Sequence, residues 1–197
     1  MVDMSDIRPA DSSFVLDQLT DLARIEPTSP LAGHLDLQHV GMIAHSLGGA
    51  SAVQVIDIAA RFQVGVNIDG IIPSTRANAS LDRPLLWLQS DSKPEDQYVW
   101  VRDELMSGLE QGGDVIAVVG SVHESFTDAQ SYFSTTGRDI VGDGAKPEAV
   151  DAITWVTSEV ISAFVGPHLG APGQQTLDDR PRPSVNQKQH IARVLPS

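Results

Sequence analysis

The stretch from Val40 to Ala60 constrains the fold more than any other part of the chain. Val40-Gly41-Met42-Ile43-Ala44 is a short apolar run that passes directly into His45-Ser46-Leu47-Gly48-Gly49, and Ala50 to Ala60 then reads as a helix. Ala44-x-Ser46-x-Gly48 therefore sets a serine between two small residues where extended chain turns into helix. A serine on such a strained strand-to-helix turn projects its hydroxyl above a sheet, and small residues two before and two after let the neighbouring backbone pass closely. The first N–H groups of the helix point at the same place, where negative charge is favoured. A serine that merely capped a helix would not need the strand before it.

The rest of the chain repeats this alternation. Val64 to Ile68, Pro84 to Leu88 and Val115 to Val119 read as short strands. Between and around them are helical patterns. One is capped by Ser12-Ser13 and runs through Phe14, Val15, Leu16, Leu19 and Leu22; a second spans Tyr98 to Leu109; a long amphipathic one opens at Pro147 and continues through Phe164. Short strands apolar on both faces, alternating with helices, make a mainly parallel sheet of about four strands in a three-layer α/β/α arrangement. A chain of 197 residues fits one such domain. Its expected extent is residues 1–170, with a polar, proline-containing tail over 171–197 that has no evident regular structure.

A serine nucleophile needs a base and an acid to orient it. In this kind of fold the base stands in a loop after the last strand. Of the six histidines only His123 does so, in Gly120-Ser121-Val122-His123. His34 and His39 precede the serine, His168 ends the long helix and His190 lies in the tail. His45 adjoins Ser46, and neighbours on a tight turn point apart, so it is expected to pack or hydrogen-bond locally. Two acids compete. Asp69 ends the strand after the serine helix and Asp91 ends the next strand; both lie on the rim that carries Ser46, and chain order does not separate them.

Several motifs together resemble a known family. His45-Ser46-Leu47-Gly48-Gly49-Ala50, Arg61-Phe62, Gly65-Val66-Asn67-Ile68-Asp69-Gly70, Leu81-Asp82-Arg83-Pro84 and Gly120-Ser121-Val122-His123-Glu124-Ser125-Phe126-Thr127-Asp128 resemble plasma-type platelet-activating factor acetylhydrolases and their bacterial relatives. Phe14-Val15-Leu16-Asp17-Gln18-Leu19 is similar to the helix before their nucleophile strand, so the resemblance spans about Asp6 to Leu169. It implies an α/β-hydrolase fold and a carboxylic-ester hydrolase of acyl-enzyme mechanism, with nucleophile Ser46, acid Asp69 and base His123. The Leu47 N–H is then the first oxyanion donor. A second comparison, with bacterial cutinases and polyester hydrolases, would make Asp91 the acid. The chain departs from the family at Ala44, where a glycine is usual, and in having only about ten residues before the Phe14 helix. Family members carry several strands there, including the loop of the second oxyanion donor. A truncated, weakly active or non-catalytic relative is the alternative to an esterase.

Composition narrows the partners. A net charge of −13 disfavours nucleic acid and strongly anionic substrates, and with a truncated, open cleft it makes small, soluble, uncharged esters the expected class. The absence of cysteine removes disulfides and thiolate chemistry. The expected mechanism needs neither metal nor organic cofactor. No apolar run is long enough to span a membrane, and no leader-like segment opens the sequence, which leads to an expectation of a cytoplasmic protein. With its usual neighbour missing, the Val40–Ala44 strand would be an exposed edge, a ready template for a homodimer.

Overall fold

The computed structural model describes residues 4–72, 81–91, 96–128, 147–170 and 191–194. Four parallel strands, β1 (Val40–His45), β2 (Phe62–Ile68), β3 (Leu85–Ser90) and β4 (Gly113–Val118), lie side by side in chain order. The architecture is the expected α/β one. A fifth strand, β5 (Ile191–Val194), adds to β4 antiparallel. It belongs to the segment expected to be an irregular tail. Four residues of Ile-Ala-Arg-Val are too short to signal a strand by themselves; the open side of β4 provides the hydrogen-bonding partner that makes them one.

Alternation along β3 and β4 explains the three layers. Leu85, Trp87 and Val115 face one side of the sheet, where they join Ala50, Val53 and Ile56 of α3 (Leu47–Ile58) and Val101 and Leu105 of α4 (Asp96–Ser107). Leu86, Leu88, Ile116 and Val118 face the other, against Ile153, Val156, Val160 and Phe164 of α5 (Pro147–His168). Each face is therefore closed by helices, and both sets of strand side chains are apolar.

Helix α1 spans Met4–Thr20, beginning well before the expected cap. Ser12 is not a cap: its hydroxyl donates to the Arg8 carbonyl one turn back within the helix, at 3.0 Å. Pro9 lies inside α1 as its sixth residue, where it cannot donate the bond to the carbonyl four residues back. The helix leans on α3 through Leu16 and is tied to the β2 entry by Arg61, which donates to Asp17 and to the Thr20 hydroxyl. A short helix, α2 (Leu22–Ile25), follows it.

Candidate active site

Register along β1 and β2 places the first two site residues. His45 pairs with Ile68 as the last rung of the parallel ladder, so Ser46 and Asp69 leave the sheet at the same level. The ladder continues one step past the strand ends. Ser46 N–H donates to the Ile68 carbonyl at 2.8 Å, and Asp69 N–H to the Leu88 carbonyl at 2.7 Å. Both residues then turn with positive φ, Ser46 at 58° and Asp69 at 53°. Left-handed backbone in non-glycine residues costs energy and persists only where the surroundings impose it.

Those surroundings are close-packed backbone. A Cβ on Gly70 would lie 2.3 Å from the Ser46 carbonyl oxygen and 2.5 Å from Asn67 Oδ1, so only glycine lets the acid turn reach the serine turn. The fully buried Asn67 closes that turn: its Oδ1 accepts from Gly70 N–H at 2.8 Å and its Nδ2 donates to the Gly70 carbonyl at 3.0 Å. The Ala44 substitution is accommodated beside Gly48, where a Cβ would meet the Ala44 methyl at 3.0 Å.

His123 opens a turn of 3₁₀ helix (His123–Phe126) after β4. Its Nε2 lies 2.9 Å from Ser46 Oγ and its Nδ1 lies 2.8 Å from Asp69 Oδ2. The other Asp69 oxygen accepts from Ser90 N–H at 2.7 Å. An imidazole held this way carries its proton on Nδ1 and presents a bare Nε2 to the hydroxyl. Asp91, the competing acid, is engaged elsewhere: Oδ2 accepts from Gly120 N–H at 3.0 Å, and Asp91 N–H donates to the Ser121 carbonyl at 3.1 Å. Its carboxylate braces the loop that carries His123. Leu47 supplies the first N–H of α3, which has no carbonyl one turn earlier within the helix.

The three side chains open onto a cleft of about 490 Å³. Its walls include Ile71, Ile72, Trp87, Tyr98 and Arg102. Arg102 is buried and held by Gln89 Oε1 at 2.6 Å and Asp103 Oδ1 at 2.8 Å. None of these wall residues stands out in the sequence as more than core or helix surface. Asn67 does leave a trace, as a polar residue inside an apolar strand. The His45 ring lies against that of His123, 78 residues along the chain. Burial, and to a lesser degree the neighbouring His123, lowers the His45 pKa below the usual 6.5. Among the described residues no cluster of three His, Cys, Asp or Glu side chains is disposed to hold a metal. No helix among them is long and apolar enough to cross a membrane.

The family model for platelet-activating factor acetylhydrolase, isoform II, matches residues 15–161, from the start of the α1 apolar face into α5. The chain belongs to this family. Platelet-activating factor acetylhydrolase of Gallus gallus is 26% identical over 153 residues, 71% of this chain and 33% of the relative. That of Cavia porcellus is 30% identical over 119 residues, 56% of this chain and 25% of the relative. The chain thus spans a third or less of these relatives. Among solved structures, a ferulic acid esterase from Streptomyces cinnamoneus superposes with a TM-score of 0.75 at 26% identity, covering 97% of this chain and 55% of that one. The acetylhydrolase family and an esterase therefore share this α/β-hydrolase framework.

Proposed function

We propose that this acetylhydrolase-family chain, as the catalytic domain over residues 1–170, is a serine carboxylic-ester hydrolase acting on small, soluble esters. Ser46 Oγ attacks the ester carbonyl while His123 Nε2 takes its proton. Asp69 keeps Nδ1–H pointed inward and stabilises the imidazolium. The Leu47 N–H donates to the oxyanion as it forms. His123 then protonates the leaving alcohol, and water attacks the acyl-enzyme by the same route in reverse. The observation that carries this reading is the continuous Ser46–His123–Asp69 chain of contacts at 2.9 and 2.8 Å. The acetylhydrolase relatives and the esterase neighbour point to the same bond.

Hydrolysis of p-nitrophenyl acetate and butyrate, together with labelling by a fluorophosphonate, tests it. Wild type is expected to turn over and to be labelled at Ser46, and Ser46→Ala to lose both, by several orders of magnitude in rate. Ser46→Ala retaining half of the wild-type rate would remove the assignment. Methyl ferulate belongs in the same assay, because Trp87 and Tyr98 in the cleft wall suit an aromatic acyl group.

We further infer a two-fold dimer through the outer edge of β1. In the described sheet β1 pairs with β2 only. Ile43 on it is 46% exposed, and beside it runs a groove of about 450 Å³ lined by Val15, Leu16, Leu19, Val40 and Met42. An open strand edge next to apolar surface is a template for a second copy. Antiparallel pairing would bring the partner's loop over 27–39 toward Ser46, where it can offer a second oxyanion donor.

A further inference from the structure

We propose that His45 is a positioning residue that fixes the backbone of His123, so that consecutive residues of the serine turn hold the base at both ends. The proposal rests on the reading of Ser46 and His123 as nucleophile and base. His45 Nε2 lies 3.0 Å from the His123 carbonyl oxygen. A carbonyl only accepts, so the hydrogen sits on Nε2 and the neutral ring leaves Nδ1 bare. The His45 ring lies against the His123 ring, with centroids 4.4 Å apart and planes tilted by 37°. Phe126, three residues after the base, comes within 6.2 Å of the His45 ring centroid.

The base needs such a hold. Its side chain is 44% exposed, and it stands on a turn rather than on a strand. Asp69 and Ser46 fix its two ring nitrogens, while Asp91 fixes the loop at Gly120 and Ser121, three and two residues earlier. His45 grips His123 itself by its main chain. Because β1 ends at His45, that grip is anchored in the sheet. Burial lowers the His45 pKa, and the neighbouring His123 lowers it further, so the ring stays neutral near neutral pH. His123 can then take up the serine proton without a second cation 4.4 Å away. A lysine or a protonated imidazole at this place would oppose that step by like-charge repulsion.

Two variants separate the hydrogen bond from the packing. His45→Phe keeps an aromatic ring but has no donor; His45→Gln keeps an N–H at nearly the reach of Nε2. His45→Phe should lower kcat for a p-nitrophenyl ester by about 10- to 100-fold with KM little changed, the signature of a displaced base rather than of lost binding. His45→Gln should recover most of kcat. The downfield proton resonance of His123 Nδ1–H, which does not depend on turnover, should be sharp in wild type and His45→Gln and broadened in His45→Phe. If His45→Phe does not fold, His45→Asn, too short to reach the carbonyl, takes its place. Wild-type kcat and an unchanged resonance in the donor-less variant would overturn the proposal, as would equal losses with and without a donor. Absence of turnover in wild type would instead sink the esterase reading, and the resonance would still decide the role of His45.

Discussion

Replacing Asn67 with alanine should cost far more than a polar-to-apolar change inside a strand usually does. Asn67 has no exposed surface and spends both halves of its amide on the buried Gly70, one bond at 2.8 Å and one at 3.0 Å. In Asn67→Ala the Gly70 N–H and C=O both lose their partner in the interior. An orphaned buried polar group costs about 1–3 kcal/mol, so two cost about 2–6 kcal/mol. Asp69 adds to this. Its left-handed backbone carries a penalty of about 1–2 kcal/mol that the Asn67 clasp helps to enforce, and release of the turn recovers part of it. The net expectation is a loss of about 2–4 kcal/mol, a large share of a stability that is typically about 5–15 kcal/mol. Urea unfolding followed by circular dichroism measures it. At a slope of about 2 kcal/mol/M the midpoint should fall by about 1–2 M without change of slope. Ester turnover should fall as well, since the relaxed turn no longer presents Asp69 to His123. A loss below about 0.5 kcal/mol, the range of inconsequential surface changes, would refute the reasoning.

Asp69→Asn, which keeps the shape but favours the wrong tautomer of His123, should lower turnover by about 10⁴, whereas Asp91→Asn should have a small effect because an amide oxygen still accepts from Gly120 N–H. The reverse pattern in ester assays would make Asp91 the acid. Burial depresses the pKa of His45 and of His168, so between those lowered values and 6.5 the unfolded chain binds more protons than the folded one. Stability should therefore rise with pH through that window and decline as pH falls below 6.5; a urea midpoint higher at about pH 5.5 than at about pH 7.5 would contradict this sign. Sedimentation at micromolar concentration should give a species of twice 21.1 kDa. A fully active monomer would remove the dimer and its donor in trans together.

The parts of the fold that the sequence made legible are those where one signal suffices locally. Val40 to Ala44 running into Ser46 and Gly48 needs a strand, a turn and a helix in that order, and β1, Ser46 and α3 follow it. The alternation of Leu85, Leu86, Trp87 and Leu88 between two apolar faces needs a sheet covered twice, and two separate core clusters receive those side chains. What stayed hidden depends on long-range pairing. Nothing local marks Ile191–Val194 as a strand until β4 is beside it. Ser12 reads as a cap only while the chain before it is taken as irregular. Asp69 and Asp91 are alike by order along the chain. They differ in three dimensions, because the β4 loop turns back so that His123 meets the strand end nearer the serine while Gly120 meets the other.

That difference has a structural origin which also bears on what an outer neighbour of β1 could change. Past the ends of the strands the backbone ladder goes on: Ser46 N–H to Ile68, Asp69 N–H to Leu88, Asp91 N–H to Ser121. Each loop is thereby hung on the next, from β1 across to the segment after β4. Ser90 N–H donates back to the Asp69 carboxylate and Gly120 N–H back to that of Asp91, so each of these junctions is tied in both directions. Every link lies on β1 or on the side of it toward β4; none requires a strand on the far side. These bonds, which help to set the spacing of Ser46, His123 and Asp69, all lie among the four strand ends. A partner copy on the open edge of β1 would add cover and a donor for the oxyanion without resetting the spacing of those three side chains. Oligomeric state should then act on the rate of ester turnover while leaving the hydrogen-bonded state of His123 as it is.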